Sequence, residues 1–158
     1  MSLITFTHNQ QRGVTLIEVL VAVLVLSIGL LGVASMQFYG LRYNQSAYLR
    51  SQAAVVAYDL ADRMRANPNG VAAGYYDSID SASVPSDPAC INTGCNNQQL
   101  ADNDIREWAQ YFTANPPMLP GASGKVTKAG GIFTITISWT ESTKQGAVLQ
   151  SLNYKFQL

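Results

Sequence analysis

The sequence predicts an α+β fold in which one long N-terminal helix packs on a small antiparallel sheet. Three observations carry that expectation. No proline occurs from Val14 to Asn67, and within this stretch Leu49, Ala53, Val56, Leu60 and Met64 recur at spacings of four, three, four and four, the stripe of an amphipathic helix. Near the other end Phe133, Ile135, Ile137 and Trp139 alternate with Thr134, Thr136, Ser138 and Thr140, the period of a strand with one buried face. Between them, residues 72–99 are rich in Ser, Asp, Asn, Gly and Pro and read as a long loop.

The helix comes first. From Val19 to Leu41 there is no charged residue, and a run of that length is long enough to cross a bilayer. Glu18 sits at its start. A carboxylate deep in hydrocarbon costs about 2.5–3.5 kcal/mol, and an ionisable group in such a segment is a functional candidate by default. The run continues without a breaker to "NPNG" at 67–70, where Pro68 disfavours helix at the residue before it and Gly70 suits a turn. Val14 to Ala66 as one helix would run about 80 Å. Gly29 and Gly32, with Ser27 and Ser35, would allow close helix approach in an apolar setting, or would simply reflect the frequency of glycine in membrane helices.

The remaining elements follow in order. "DNDIREWAQYF" at 102–112 reads as a helix capped by Asp102, with Ala101, Ile105, Trp108 and Phe112 as its apolar stripe. "ANPPMLPG" stops it. A short strand at "GKVTKA", the strand of Phe133 to Trp139, a turn at "ESTKQG", and a last strand with Leu152, Tyr154, Phe156 and Leu158 on one face make a three-stranded meander. Its apolar face needs a cover, and the stripe of the long helix is the available one.

Composition narrows the function. The net charge is zero and the single histidine is His8, so the chain as a whole advertises no affinity for nucleic acid and offers no imidazole near the predicted domain for acid–base or nucleophilic catalysis. "AGG" at 129–131 leads into a strand, not a helix, so it is not a phosphate loop. No enzymatic activity, cofactor or metal site is expected. Asp77, Asp80, Asp87, Asp102, Asp104 and Glu107 crowd the middle, and Lys125, Lys128, Lys144 and Lys155 lie in the last third. They are expected to form two solvated faces.

The N-terminus does not fit an ordinary signal peptide, whose apolar core is shorter and ends at a small-residue cleavage site. A signal anchor suits the length but leaves Glu18 unexplained. The order "RGVTLIEVLVAV" at 12–23 resembles the type III signal of type IV pilins and pseudopilins. The resemblance implies a polar leader ending at Gly13, cleavage by prepilin peptidase, N-methylation of Val14, and Glu18 at the fifth mature position for charge pairing in assembly. The family more often has Phe or Met where this chain has Val14. The physical reading agrees, because cleavage creates an ammonium at Val14, and a carboxylate that meets it offsets its cost in an apolar setting.

The region closing the helix, "YNQSAYLRSQAAVVAYDLADRMRANPNG", with Asp59, Asp62, Arg63, Arg65, Ala66 and Asn67, is similar to the PilV family of minor type IV pilins. Asp59–Arg63 and Asp62–Arg65 are expected to be helix-surface pairs worth a few tenths of a kcal/mol. In an exported domain Cys90 and Cys95 read as a disulfide clip around "INTG". The expected division is a leader at 1–13, a transmembrane and filament-core half-helix at 14–41, and a periplasmic pilin headgroup at 42–158.

The resemblance implies the type IV pilin fold and a subunit that joins other minor pilins to prime polymerisation of the major pilin, with a tip adhesin as a further partner. It places the chain in the inner membrane of a Gram-negative bacterium and then in the pilus. Nucleic acid is not an expected partner. The alternatives are a minor pseudopilin of type II secretion and a solitary membrane-anchored periplasmic binding domain.

Overall fold

The computed structural model describes residues 13–143 and 146–158; residues 1–12, with His8 and Arg12, and Lys144 and Gln145 lie outside the described residues. Eight elements follow in order: α1 (Leu16–Ala66), α2 (Pro68–Ala72), β1 (Ser78–Asp80), α3 (Cys90–Thr93), α4 (Asn97–Thr113), β2 (Ser123–Ala129), β3 (Ile132–Thr143) and β4 (Gly146–Gln157). The chain divides into two units, Met1–Tyr43 and Asn44–Leu158, each described by itself.

In the first unit every described residue through Leu41 is exposed. The helix there has the length and composition to cross a membrane. Ser27 donates its hydroxyl to the Val23 carbonyl at 2.7 Å, which satisfies the polar group inside its own helix.

The second unit has one core. Leu49, Ala53, Val56, Leu60 and Met64, the stripe expected to cover the sheet, are buried together with Ala57 and Ala61. They pack with Phe133, Ile135, Ile137 and Trp139 of β3 and with Ala101, Ile105 and Trp108 of α4. A buried aromatic or aliphatic side chain of this size contributes about 1.5–3 kcal/mol. The Trp108 indole N–H would cost stability if left unpaired in this core. It donates to the Val56 carbonyl at 2.9 Å.

The sheet has four strands, in the order β1-β2-β3-β4, all antiparallel neighbours. Three were expected. The additional strand, β1, lies inside the segment read as a loop, and it pairs Ile79 with Val126 of β2. Gly130 and Gly131 join β2 to β3 with φ of 56° and 79°, the positive values that a two-residue hairpin turn demands. Gly124 of β2 is needed for a different reason. A Cβ there would lie 2.4 Å from the Trp108 ring and 2.6 Å from the Phe112 ring, so α4 can approach the strand only at glycine.

Two further expectations change. Asp102 does not cap α4. The helix starts five residues earlier, at Asn97, where the Asn96 side chain accepts from the Gln99 N–H at 2.9 Å and the Gln99 side chain accepts from the Asn96 N–H at 3.0 Å. This reciprocal pair satisfies two donors at once, which leaves Asp102 within the helix. Nor do the acidic and basic segments form two separate faces. Because β1 pairs with β2, Lys125 reaches Asp80 at 3.3 Å and Lys128 reaches Asp77 at 2.9 Å. Leu158, expected on the apolar face of the last strand, follows β4 and is exposed.

Candidate processing and assembly site

Gly13 and Val14 precede α1, and Glu18 lies in its first turn. The helix opens with the Glu18 and Val19 N–H groups both donating to the Thr15 carbonyl, at 3.1 and 3.3 Å. A carboxylate in the first turn faces the positive end of the helix dipole. Val14 and Glu18 border one shallow groove on the helix surface with Ala22 and Leu26, as an i,i+4 spacing requires. Among the described residues the Glu18 side chain has no hydrogen-bond or ion-pair partner. Gly29, Gly32 and Gly40 have nothing within 4 Å of where a Cβ would stand, so no contact within the chain requires glycine there.

The second constellation closes α1. Both expected pairs are present, Arg63 to Asp59 at 3.0 Å and Arg65 to Asp62 at 2.5 Å. Arg63 does more than the sequence indicates. It also reaches Glu107 at 2.5 Å and Asp104 at 3.6 Å across to α4. Asp104 is buried and accepts from the Tyr76 hydroxyl at 2.6 Å. Burial raises the Asp104 carboxyl above its ordinary pKa, while the Tyr76 hydrogen bond and the Arg63 charge pull the other way. Burial would lower the Arg63 guanidinium, but its hydrogen bonds and charge contacts with Glu107 and Asp59 outweigh that and raise it. The Arg63 hydrogen bond holds Glu107 below its ordinary value.

Asn67 does more than stop the helix. It is 2% exposed, and its backbone, at φ −121° and ψ 64°, has left the helix before Pro68. Its side-chain amide donates to the Tyr76 hydroxyl at 3.1 Å and to the Asn97 carbonyl at 2.8 Å, and its oxygen accepts from the Gly70 N–H at 3.1 Å. One amide thus joins the end of α1, the start of α2 and the start of α4. Gly70 must be glycine here, since a Cβ would lie 2.4 Å from the Asn67 amide nitrogen.

Cys90 and Cys95 form a disulfide that encloses α3. The same segment is fastened to α4 by Asp87 and Arg106 at 2.7 Å. Among the described residues no group of three or more His, Cys, Asp or Glu side chains is placed to hold a metal ion.

Two family models match the chain. The prokaryotic N-terminal methylation motif matches residues 8–34, which bracket Gly13, Val14 and Glu18. The family described as type IV pilin Tt1218 matches residues 35–106, from the middle of α1 into α4. The two matches together span residues 8–106 and support a type IV pilin-like family, and the long N-terminal helix and antiparallel sheet match a type IV pilin fold. The methylation motif marks a substrate of prepilin peptidase, and with the apolar helix it fits a membrane-anchored pilin. No curated protein and no solved structure gives a significant match.

Proposed function

We propose that this pilin is a minor type IV pilin of the PilV kind, which enters a small complex with other minor pilins and primes polymerisation of the major pilin. On this reading prepilin peptidase removes residues 1–13, and Val14 becomes the N-methylated first residue. Residues 14–41 hold the chain in the inner membrane and then in the filament core. Residues 42–158 are the periplasmic headgroup, which meets the other subunits and, at the tip, an adhesin. The observation that carries the proposal is a coincidence of position. The methylation motif falls on a helical segment whose side chains are all exposed, and Glu18 is its one charged residue from Gly13 to Leu41.

The working parts are a charge and a surface. The new ammonium at Val14 and the carboxylate of Glu18 are each costly in an apolar bundle and inexpensive when paired. Pairing Glu18 of one subunit with the Val14 amine of its neighbour would set axial register. The apolar surface of residues 14–41 would then be covered by other subunits. Minor pseudopilins of type II secretion share this signal. The run Asp59–Asn67 and the disulfide-clipped segment before α4 favour the pilus.

The test has two stages. Mass analysis of the mature protein should find a start at Val14, methylated; an intact Met1 start in cells with active prepilin peptidase refutes the reading. Glu18→Ala should be inserted and cleaved normally yet fail to co-purify with other minor pilins, with fewer surface pili. Normal co-purification would mean that Glu18 has no part in assembly. Glu18→Gln separates charge from hydrogen bonding, since full rescue by Gln would remove the need for an ion pair.

A further inference from the structure

We propose that the outer edge of β4 receives an extended strand from a different subunit of the assembly, a proposal that rests on the pilin reading above. β4 is the last strand in the sheet order, and all twelve of its residues pair in unbroken register with β3. Among the described residues no strand pairs with its other side. A row of N–H and C=O groups about 40 Å long is therefore left for water or for another backbone.

Chains that must keep such an edge bare blunt it with shortness, proline, bulges or several charges. β4 has none of these, since it is long, unbulged and proline-free, with Lys155 as its single charge. The opposite edge is blunted. β1 has three residues, and Asp77 and Asp80 are held by Lys128 and Lys125 along it.

The start of β4 adds a second argument. The core side of the sheet follows Phe133, Ile135, Ile137 and Trp139, which stand opposite Phe156, Tyr154, Leu152 and Gln150. Beyond Gln150 no buried apolar residue of the core stands over β4. Val148 on the core side is 39% exposed, and Leu149 on the other side is 70% exposed. Past Thr140, whose N–H donates to the Pro120 carbonyl at 2.8 Å, β3 and β4 run on as two strands with Ser46 of α1 donating to Glu141 at 3.0 Å on the core side, and a two-stranded ribbon is marginal alone. A third strand on β4 would lie beside both apolar side chains.

The edges also select the partner. A second copy offering β1 would match only three residues. Two copies joined β4 to β4 would close as a pair and could not take part in a growing assembly. The fitting partner is a proline-free strand from another pilin-like subunit. It carries β-branched or apolar residues beside Val148, Leu152 and Tyr154, small polar residues beside Ser151 and Asn153, and an acidic residue near Lys155.

The test is residue-resolved hydrogen exchange on the full-length mature chain. One sample is the chain alone in detergent micelles, and the other is the complex co-purified with other pilins in the same detergent. The alternate β4 amides that point away from β3 should exchange quickly in the first and at least tenfold more slowly in the second. The double variant Leu149→Lys, Ser151→Lys should return them to fast exchange and cut recovery of partner pilins at least tenfold. Ser123→Lys, which puts the same charge on the same face two strands inward, should do neither. If the chain starts at Val14 and co-purifies with other pilins while these amides stay fast, the edge is bare and the proposal fails, with the pilin reading intact. If it is neither cleaved nor co-purified, the pilin reading fails and takes this proposal with it. Slowing that grows with protein concentration in micelles alone would identify a second copy and overturn the assignment to a different subunit.

Discussion

Replacing Asn67 by alanine removes three hydrogen bonds from one buried position. The Gly70 N–H is buried and, as the third residue of α2, has no carbonyl one helical turn back to receive it. Losing the Asn67 oxygen strands it at about 1–3 kcal/mol. The bonds to Tyr76 and Asn97 are each worth about 1 kcal/mol net, because both partners keep some bonding of their own; the Tyr76 hydroxyl still donates to Asp104. The sum is about 3–5 kcal/mol, a large share of the 5–15 kcal/mol typical of a domain. Urea unfolding of a chain beginning at Gln37 measures it, because the whole core lies from Leu49 onward. Trp108 and Trp139, the two tryptophans of the chain, are both buried and report the transition by fluorescence. Asn67→Asp is the companion variant. It keeps the acceptor for Gly70 but sets a carboxylate against the Asn97 carbonyl and near Asp104, so it should be destabilised at neutral pH and regain stability as acid protonates it. If Asn67→Ala unfolds within 1 kcal/mol of the parent, the amide is not what joins α1, α2 and α4, and the reasoning is wrong.

Gly124→Ala should lose about 1–3 kcal/mol in the same assay, the usual cost of overpacking, because its Cβ meets the rings of Trp108 and Phe112. Asp104→Asn tests the pH dependence. The folded-state pKa of Asp104 is raised, so the native chain binds the proton more tightly than the unfolded chain. Stability conferred by Asp104 relative to Asn should therefore increase as pH falls from the raised value toward the ordinary value near 4. A stability difference that does not change with pH across that window would contradict the shift. Cys90→Ser with Cys95→Ser should raise hydrogen exchange in residues 87–95 while leaving β3 amides protected, since β3 has its own buried face; equal loss in both places would show that the clip supports the whole headgroup.

What could be read in advance was whatever repeats along the chain. The α1 stripe and the β3 alternation are periodic, and every apolar residue named in either is buried. The signal around Gly13, Val14 and Glu18 was legible because it is linear. β1 was not, because a three-residue strand offers one core residue, Ile79, and no period. The α4 start is marked in the sequence by Asn96 followed three residues later by Gln99, a capping-box pattern, whereas Asp102 has no such partner. The roles of Arg63 and Asn67 could not be read from spacing. Their decisive partners lie far along the chain, Glu107 at 44 residues and Asn97 at 30.

The contrast between the two units bears on why Glu18 is retained. In the second unit the costly charges are handled within the chain. Arg63 sits among Asp59, Asp104 and Glu107, the buried carboxyl of Asp104 has a hydroxyl donor, and Lys125 and Lys128 meet Asp80 and Asp77. Lys155, without such a partner among the described residues, is exposed to water. Glu18 has neither solution once its surroundings are apolar. Its own helix supplies only the dipole of the first turn, an effect of about 0.3–1 kcal/mol at an exposed site, against an insertion cost several times larger. The group able to make up the difference is a cation held in the same apolar layer, and within residues 13–41 the chain has none in its side chains. The proposed cleavage after Gly13 would create one. On that view the carboxylate and the new amine are made for each other by processing, and a subunit that keeps its leader carries the cost of Glu18 without the partner that offsets it.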